Sequence, residues 1–329
     1  TRIELEFKKD KLPQMLRGTD AAYTMDLALN LICSMLNNRF AELSIDPNAS
    51  FTNAGSYYSE LVKEKDAFVA IYIAKQGLEK QAYKDLLAQL EKMRRYGFTT
   101  SELERVKKEW LAAYEKAYNE RTTVRNISRA EECIRHYLDG APMPGEEWEY
   151  QVVQQLLPMI SVDMLNQMAQ QLITDENLVI CFQAPQDKKV VLPTEEEAVA
   201  LLASVKDEEI EAPVEEAIRE NLVETAPKAG KIKKITTNAL HGTTEWLLSN
   251  GVRVIIKPTE FKQDEILFQG FSKGGASLVA TEDLPSSMLA STIVDFCGLA
   301  DMSMTDLQKA LTGKNISHST SINSNTETV

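Results

Sequence analysis

Ala67–Ala74 reads AFVAIYIA, a stretch without charge whose one polar tip is the Tyr72 hydroxyl. A strand that is apolar on both faces belongs inside a sheet, where neighbours cover its edges and other layers cover its faces. The chain on either side fits that reading. Ser50–Glu60 predicts a second strand just before it, and Arg2–Phe7, RIELEF, alternates so that Ile3, Leu5 and Phe7 share one side of a half-buried strand. Between these strands the sequence predicts a long helix. Thr19 or Asp20 can cap it, and Ala22, Met25, Leu29, Ile32, Cys33 and Leu36 recur at helical spacing before the turn signal Asp46-Pro47-Asn48.

After Lys75-Gln76-Gly77 the period changes. Leu78, Ala82, Leu86, Leu90 and Met93 form a stripe ending at Gly97, and Thr99-Thr100-Ser101-Glu102 carries the capping-box pattern for a helix with Leu103, Val106, Trp110, Ala113, Tyr114 and Ala117. Further helices are predicted at Thr123–Leu138, at Glu146–Leu157 and, capped by Ser161, through Leu172, before a strand at Asn177–Gln183. Strand, helix, two strands, several helices and a strand describe an α+β layer: helices packed on one face of a mainly antiparallel sheet.

From Gln186 to Pro227 twelve acidic residues face four basic ones, which reads as a solvated stretch with short helices between its prolines. The pattern then restarts. Glu245–Leu248, Val252–Lys257 and Glu265–Phe271 are predicted strands, joined by the Asn250-Gly251 turn and the loop Pro258–Asp264. Gly274-Gly275 closes them, and Ser286-Ser287 is placed to cap a helix bearing Leu289, Ile293, Phe296 and Cys297. The expected division is therefore an α+β domain over 1–185, an acidic linker over 186–231, and the start of a second, related unit over 232–329 that is truncated.

The 329 residues carry a net charge of −13 and a 43% apolar share. Such a charge opposes phosphate binding, so no nucleic-acid partner is expected. No apolar run reaches the roughly 18 residues that cross a bilayer, and the first residues lack a signal-peptide core, so no membrane partner is expected either. The chain starts without Met in strand-like alternation, which is read as a segment of a longer protein. Cys33, Cys133, Cys181 and Cys297 lie far apart and are expected to be buried free thiols.

Few residues suit catalysis. The three histidines, His136, His241 and His318, fall in neither H-E-x-x-H nor H-x-x-E-H, the spacings that put two imidazoles on one helix face around zinc. Glu132 and His136 share a helix face, but two ligands fall short of the three that catalytic zinc takes from protein, so a surface contact is the expected role. His241 reads as an exposed loop residue, and Gly274-Gly275 as a strand-ending turn instead of a phosphate loop. Arg94-Arg95, Lys107-Lys108 and the arginines from Arg121 to Arg129 read as solvated helix faces, and the tryptophans as core or rim. The expected catalytic, cofactor-binding and metal residues of this chain are none.

Three stretches resemble the pitrilysin/insulinase family of zinc metallopeptidases: DAAYTMDLALNLICSMLNNRFAEL (20–43), GFTTSELERVKKEWLAAYEKAYNERT (97–122) with NLVICFQAP (177–185), and LLSNGVRVIIKP with FQGFSKGGASL (247–258 and 268–278). The resemblance implies tandem α+β domains paired into halves that close around a peptide. Residues 1–185 then resemble the second domain, and the chain from His241 onward the opening of the third. In an active first domain the comparable hairpin leads to a helix with H-x-x-E-H; here it leads to SSMLASTIVDFCGLADMS (286–303). The resemblance thus implies zinc in the parent protein and none in this segment, with the catalytic first domain, the fourth domain and a peptide substrate as partners. It implies a wall and hinge for this segment, which alone would be inactive. The alternative is an inactive partner subunit or binding module whose parent has no zinc site. A homo-oligomer through the truncated unit is a further expectation. The compartment is left open, periplasmic or cytoplasmic in a bacterium.

Overall fold

A computed structural model describes residues 1–215, 221–262 and 265–329. Glu216–Glu220 of the acidic stretch, and Gln263 and Asp264 at the end of the expected loop, lie outside the described residues. The chain divides into two units, the first built on Thr1–Glu115 and running on into the acidic stretch, the second holding the strands from Ile232 onward.

In the first unit β1 (Arg2–Asp10), β2 (Phe51–Val62), β3 (Lys65–Ala74) and β4 (Leu178–Gln183) form one sheet in the order β2-β3-β1-β4, antiparallel throughout. AFVAIYIA is thus an interior strand. The register sets Ile3 opposite Tyr72 and Phe182, Leu5 opposite Ala70 and Ile180, and Phe7 opposite Phe68 and Leu178. Because side chains alternate along a strand, this face collects all of them. It is sealed by α1 (Asp20–Ser44) and α2 (Glu79–Tyr96), which contribute Leu31, Ile32, Met35, Leu36 and Phe40 from α1 and Ala82, Leu86, Leu90 and Met93 from α2, all buried. Each such large side chain contributes roughly 1.5–3 kcal/mol through its removal from water. Tyr72 stacks against Phe40 and Phe51, with ring centroids 5.2 and 4.1 Å away.

The caps sit where the sequence puts them. Thr19 accepts from the Ala22 amide at 3.2 Å, and Ser161 from the Met164 amide at 3.2 Å. Four members of the stripes predicted in this unit fall outside the core: Met25, Leu78, Ala113 and Ala117 are exposed. The long α1 buries Leu27, Ala28 and Leu31 in its first half, so Met25 lies on its outer side, and Leu78 is the residue before α2.

An outer helical layer follows: α3 (Thr100–Glu120), α4 (Asn126–Asp139), α5 (Glu146–Leu156) and α6 (Val162–Leu172). The corner between α2 and α3 is the most heavily bonded point of the unit. Thr99 and Glu102 exchange bonds as a capping box, the Thr99 amide to Glu102 at 2.7 Å and the Glu102 amide to the Thr99 hydroxyl at 3.3 Å. Arg39 of α1 reaches in with a bidentate pair to Glu102 at 2.6 and 2.9 Å, donates to the Gly97 carbonyl at 2.8 Å and covers the Phe98 ring at 4.5 Å. Asn166 of α6 bridges the Phe98 amide and carbonyl at 2.7 and 3.1 Å. Gly97 has φ +62°, and a Cβ there would stand 2.2 Å from Asn166, so the corner needs glycine on both counts.

Part of the acidic stretch is fastened to α2. Here α7 (Glu195–Ser204) begins with a capping box between Thr194 and Glu197 and buries Ala198, with Val205 buried just beyond it. Arg95 donates to the carbonyls of Val205, Lys206 and Glu208 at 3.1, 2.5 and 2.8 Å, Tyr83 to that of Ala198 at 3.2 Å, and Lys80 pairs with Glu197 at 2.7 Å. The expectation that Arg94-Arg95 is merely solvated is corrected: both pair with buried Glu91 at 2.6 Å, and Arg95 also holds this strap.

In the second unit β5 (Ile232–Asn238), β6 (Thr243–Leu248) and β7 (Arg253–Ile256) form a three-stranded antiparallel sheet in that order. A smaller sheet has the order β8-β10-β9, from β8 (Phe271–Lys273), β9 (Ser321–Ile322) and β10 (Thr326–Thr328), with α8 (Leu284–Asp295) and α9 (Met304–Ala310) in the connection. Three expectations are corrected here. Glu265–Gln269 forms no strand and Ile266, Leu267 and Phe268 are exposed; pairing begins at Gly270, which exchanges both backbone bonds with Val329 at 2.8 and 2.9 Å and leads into β8. Helix α8 begins at Leu284, ahead of Ser286-Ser287, because Pro285 in its first turn has the backbone angle a helix start requires. Of the four cysteines only Cys33 is buried, its thiol pushed up to about 12 by burial; Cys133 and Cys297 are exposed and Cys181 is half-buried.

Candidate functional site

Among the described residues, α1 and α2 pack on one face of the sheet of the first unit. On the other, the register aligns Arg2, Glu4 and Glu6 of β1 with Ile73, Ile71 and Val69 of β3, with Asn53, Gly55 and Tyr57 of β2, and with Gln183, Cys181 and Val179 of β4. Ile73, Val179 and Tyr57 are 37%, 37% and 41% exposed, whereas Ile3, Leu5 and Tyr72 on the helical face are 0% exposed. This open face is apolar at its margins and charged along its central strand.

Its middle is closed over by its own side chains. Glu4 is buried beneath Arg2, which donates to it at 2.9 Å, and Tyr57, whose hydroxyl donates at 3.5 Å. The bond to Glu4 raises the Arg2 guanidinium above its usual value, while burial first and the Glu4 charge second raise the Tyr57 phenol. Nothing in this set is an activated nucleophile or base. Such a surface can hold an extended chain by apolar contact and by its charged row.

The candidate metal pair does not build a site. Glu132 and His136 do lie on α4, but the His136 Nδ1 is 2.7 Å from the Ala141 carbonyl past the helix end. Glu132 instead adds its charge, with that of Glu146, to the effect of burial in raising the Glu149 carboxyl. His241 lies in the exposed turn between β5 and β6, and His318 is exposed ahead of β9. Among the described residues no three His, Cys, Asp or Glu side chains stand together as metal ligands. Glu132 and His136 alone fall short of the three protein ligands that a catalytic zinc takes. Gly274 and Gly275 have φ +143° and +59°, and a Cβ on Gly275 would meet the Asn323 carbonyl at 2.2 Å. That glycine pair is explained by the close approach of the β9–β10 turn, with the Gly274 and Ala276 amides bonding Asn325 and Asn323 at 2.9 Å.

Sequence reasoning did not find a cavity of about 750 Å³ in the first unit, lined by residues of β1, α2 and the α6–β4 loop and by Leu202, Val205 and Lys206 of the strap. No spacing rule links those segments. Among the described residues no helix is long and apolar enough to cross a membrane.

The chain thus presents an α+β layer followed by a second unit that opens again with strands. No protein-family model matches the sequence. A zinc protease PQQL-like protein of Arabidopsis thaliana is 34% identical over 229 residues, covering 67% of this chain and 24% of that protein. The periplasmic protease PqqL from Escherichia coli superposes over 99% of this chain and 36% of its own, with a TM-score of 0.58 at 18% identity. Pitrilysin does so over 99% and 34%, with a TM-score of 0.59 at 12% identity. The chain belongs to the pitrilysin/insulinase family of zinc metallopeptidases, and it spans about a quarter of the length of the curated relative it matches.

Proposed function

We propose that this chain is a non-catalytic segment of a zinc-dependent peptidase, forming part of the wall of a peptide-holding chamber and its hinge. The open face of the β2-β3-β1-β4 sheet carries the reading: it pairs exposed apolar side chains with a charged central row and has no activated group beside them. The zinc-protease relative supports placing the metal elsewhere in the parent, where it would activate water for attack on a peptide carbonyl. In this scheme residues 1–185 form one domain, 186–231 the joint and 232–329 the start of another. The remaining domains of the longer protein and a peptide are its partners.

The test has two parts. The purified chain, washed with a weak chelator, is expected to hold no zinc and to leave a mixed peptide library uncut. A photo-reactive extended peptide is expected to crosslink to β1–β4, and Ile73→Asp to abolish that crosslink. Stoichiometric zinc with cleavage, or crosslinking confined to the helical face, would overturn the proposal.

A further inference from the structure

The cavity behind the strap has features that no part of the wall role requires. Ile173, Leu178 and Leu202 line it with partly exposed apolar side chains, while Phe7, Leu87, Leu90 and Val205 in its wall are buried. Its volume lies within the roughly 300–1,000 Å³ typical of small-ligand sites, which are mostly apolar with a few placed polar groups.

The charges at its rim sort into used and unused. Lys65 pairs with Asp10, Arg94 with Glu91 at 2.6 Å and Lys206 with Asp175 at 2.5 Å, so each of those cations already has its carboxylate. Lys8 and Lys9 are half-buried and have no carboxylate partner among the described residues. Lys9 spends one ammonium proton on the Gln171 carbonyl at 2.6 Å, and burial alone lowers its pKa. An ammonium drawn partly out of water without a counter-ion costs free energy that an incoming anion relieves. Glu176, exposed on the same rim, is the carboxylate there without a cation partner among the described residues, and it is left in solvent.

We propose that this cavity binds an apolar chain ending in a carboxylate, the head group on Lys9, which shares the face of β1 with Phe7, and the tail against Ile173, Leu178 and Leu202. Two sources supply that chemistry, a free medium-chain fatty acid and the C-terminus of an apolar peptide. The strap forms one side of the site through Leu202 and Val205, so an occupant would fasten the strap further to α2.

Calorimetric titration of the full 329-residue chain with decanoate, and separately with acetyl-trileucine, decides the matter, with decyltrimethylammonium and amidated acetyl-trileucine as controls. Saturable binding of at least one of the acids and of neither control is expected. Decanoate alone identifies a fatty acid, and acetyl-trileucine alone a peptide end. Lys9→Gln, on the rim, is expected to weaken binding at least tenfold without changing the circular dichroism, and Leu202→Trp to abolish it by filling the cavity. Absence of binding by both acids, equal binding of the controls, or unchanged affinity in a folded Lys9→Gln variant would overturn the proposal.

Discussion

Replacing Glu102 by Ala tests the account of the α2–α3 corner most directly. The substitution removes the acceptor of the Thr99 amide at 2.7 Å and both Arg39 bonds, at 2.6 and 2.9 Å. Losing the cap costs about 1 kcal/mol. The ion pair matters more, because the Arg39 and Glu102 side chains keep only 10% and 13% of their exposure. Breaking a desolvated pair from one side costs about 3–5 kcal/mol, since the surviving charge stays buried. Arg39 keeps the Gly97 carbonyl and the Phe98 ring, which favours the lower end, so the expected total is about 4 kcal/mol. At roughly 2–4 °C per kcal/mol for a unit of this size, the melting temperature falls by about 8–16 °C. Urea unfolding followed by fluorescence suits the site, because Trp110 lies on the same helix and donates to Ser34 of α1 at 3.1 Å. A double replacement, Arg39→Met with Glu102→Met, is expected to recover most of the loss by removing both charges together. A loss below about 1 kcal/mol in Glu102→Ala, or no recovery in the double variant, would refute the claim that this pair is desolvated and mutually dependent.

Arg95→Ala removes three charge-assisted bonds to the strap, so trypsin is expected to cut at Lys206 much faster while cleavage at Lys228 is unchanged; equal rates at Lys206 would sink the strap. Glu79 is buried, which alone would raise its carboxyl, but donation from the Val191 and Gly77 amides and from Thr1 outweighs this and holds it below its usual range. A depressed carboxyl stabilises above its unfolded value of 4.5 and loses that contribution as pH falls through the lower folded value, so Glu79→Gln is expected to flatten the acid limb of a stability–pH curve. Glu149 has the opposite sign. Burial, then the charges of Glu132 and Glu146, raise it, so its contribution worsens as pH rises, and Glu149→Gln is expected to raise the melting temperature at pH 7 and leave it unchanged at pH 4. Ile266, Leu267 and Phe268 are exposed together, and sedimentation is expected to find concentration-dependent self-association that Phe268→Asp reduces; a monomer at every concentration contradicts this.

The first unit was legible because its signals are local. RIELEF carries its burial in its alternation and AFVAIYIA in its unbroken apolar run, and Thr19, Thr99 and Ser161 cap helices with neighbours three residues away. The second unit was less so. β5 reads IKKITTN and is exposed at every residue, so no apolar period marked it, and β10 is three residues of TET fixed only by pairing with β8 and β9. EILFQGF carries strand-like composition, yet it is its end, Gly270 and Phe271, that pairs, with Val329 and Thr328, a fact no local pattern encodes. The open sheet face could be read from β1 and β3 once their order was known, whereas the cavity and the Arg95 strap join residues more than a hundred positions apart.

That strap also bears on where the first unit can be cut. Beyond the Arg95 bonds Ile210 still packs on the core, and Glu215 accepts from the Ser101 amide at the start of α3 at 2.7 Å. A fragment ending at Pro185 would strip Tyr83 and Arg95 of their carbonyl partners, so a preparation of the first unit alone is better ended at Glu215.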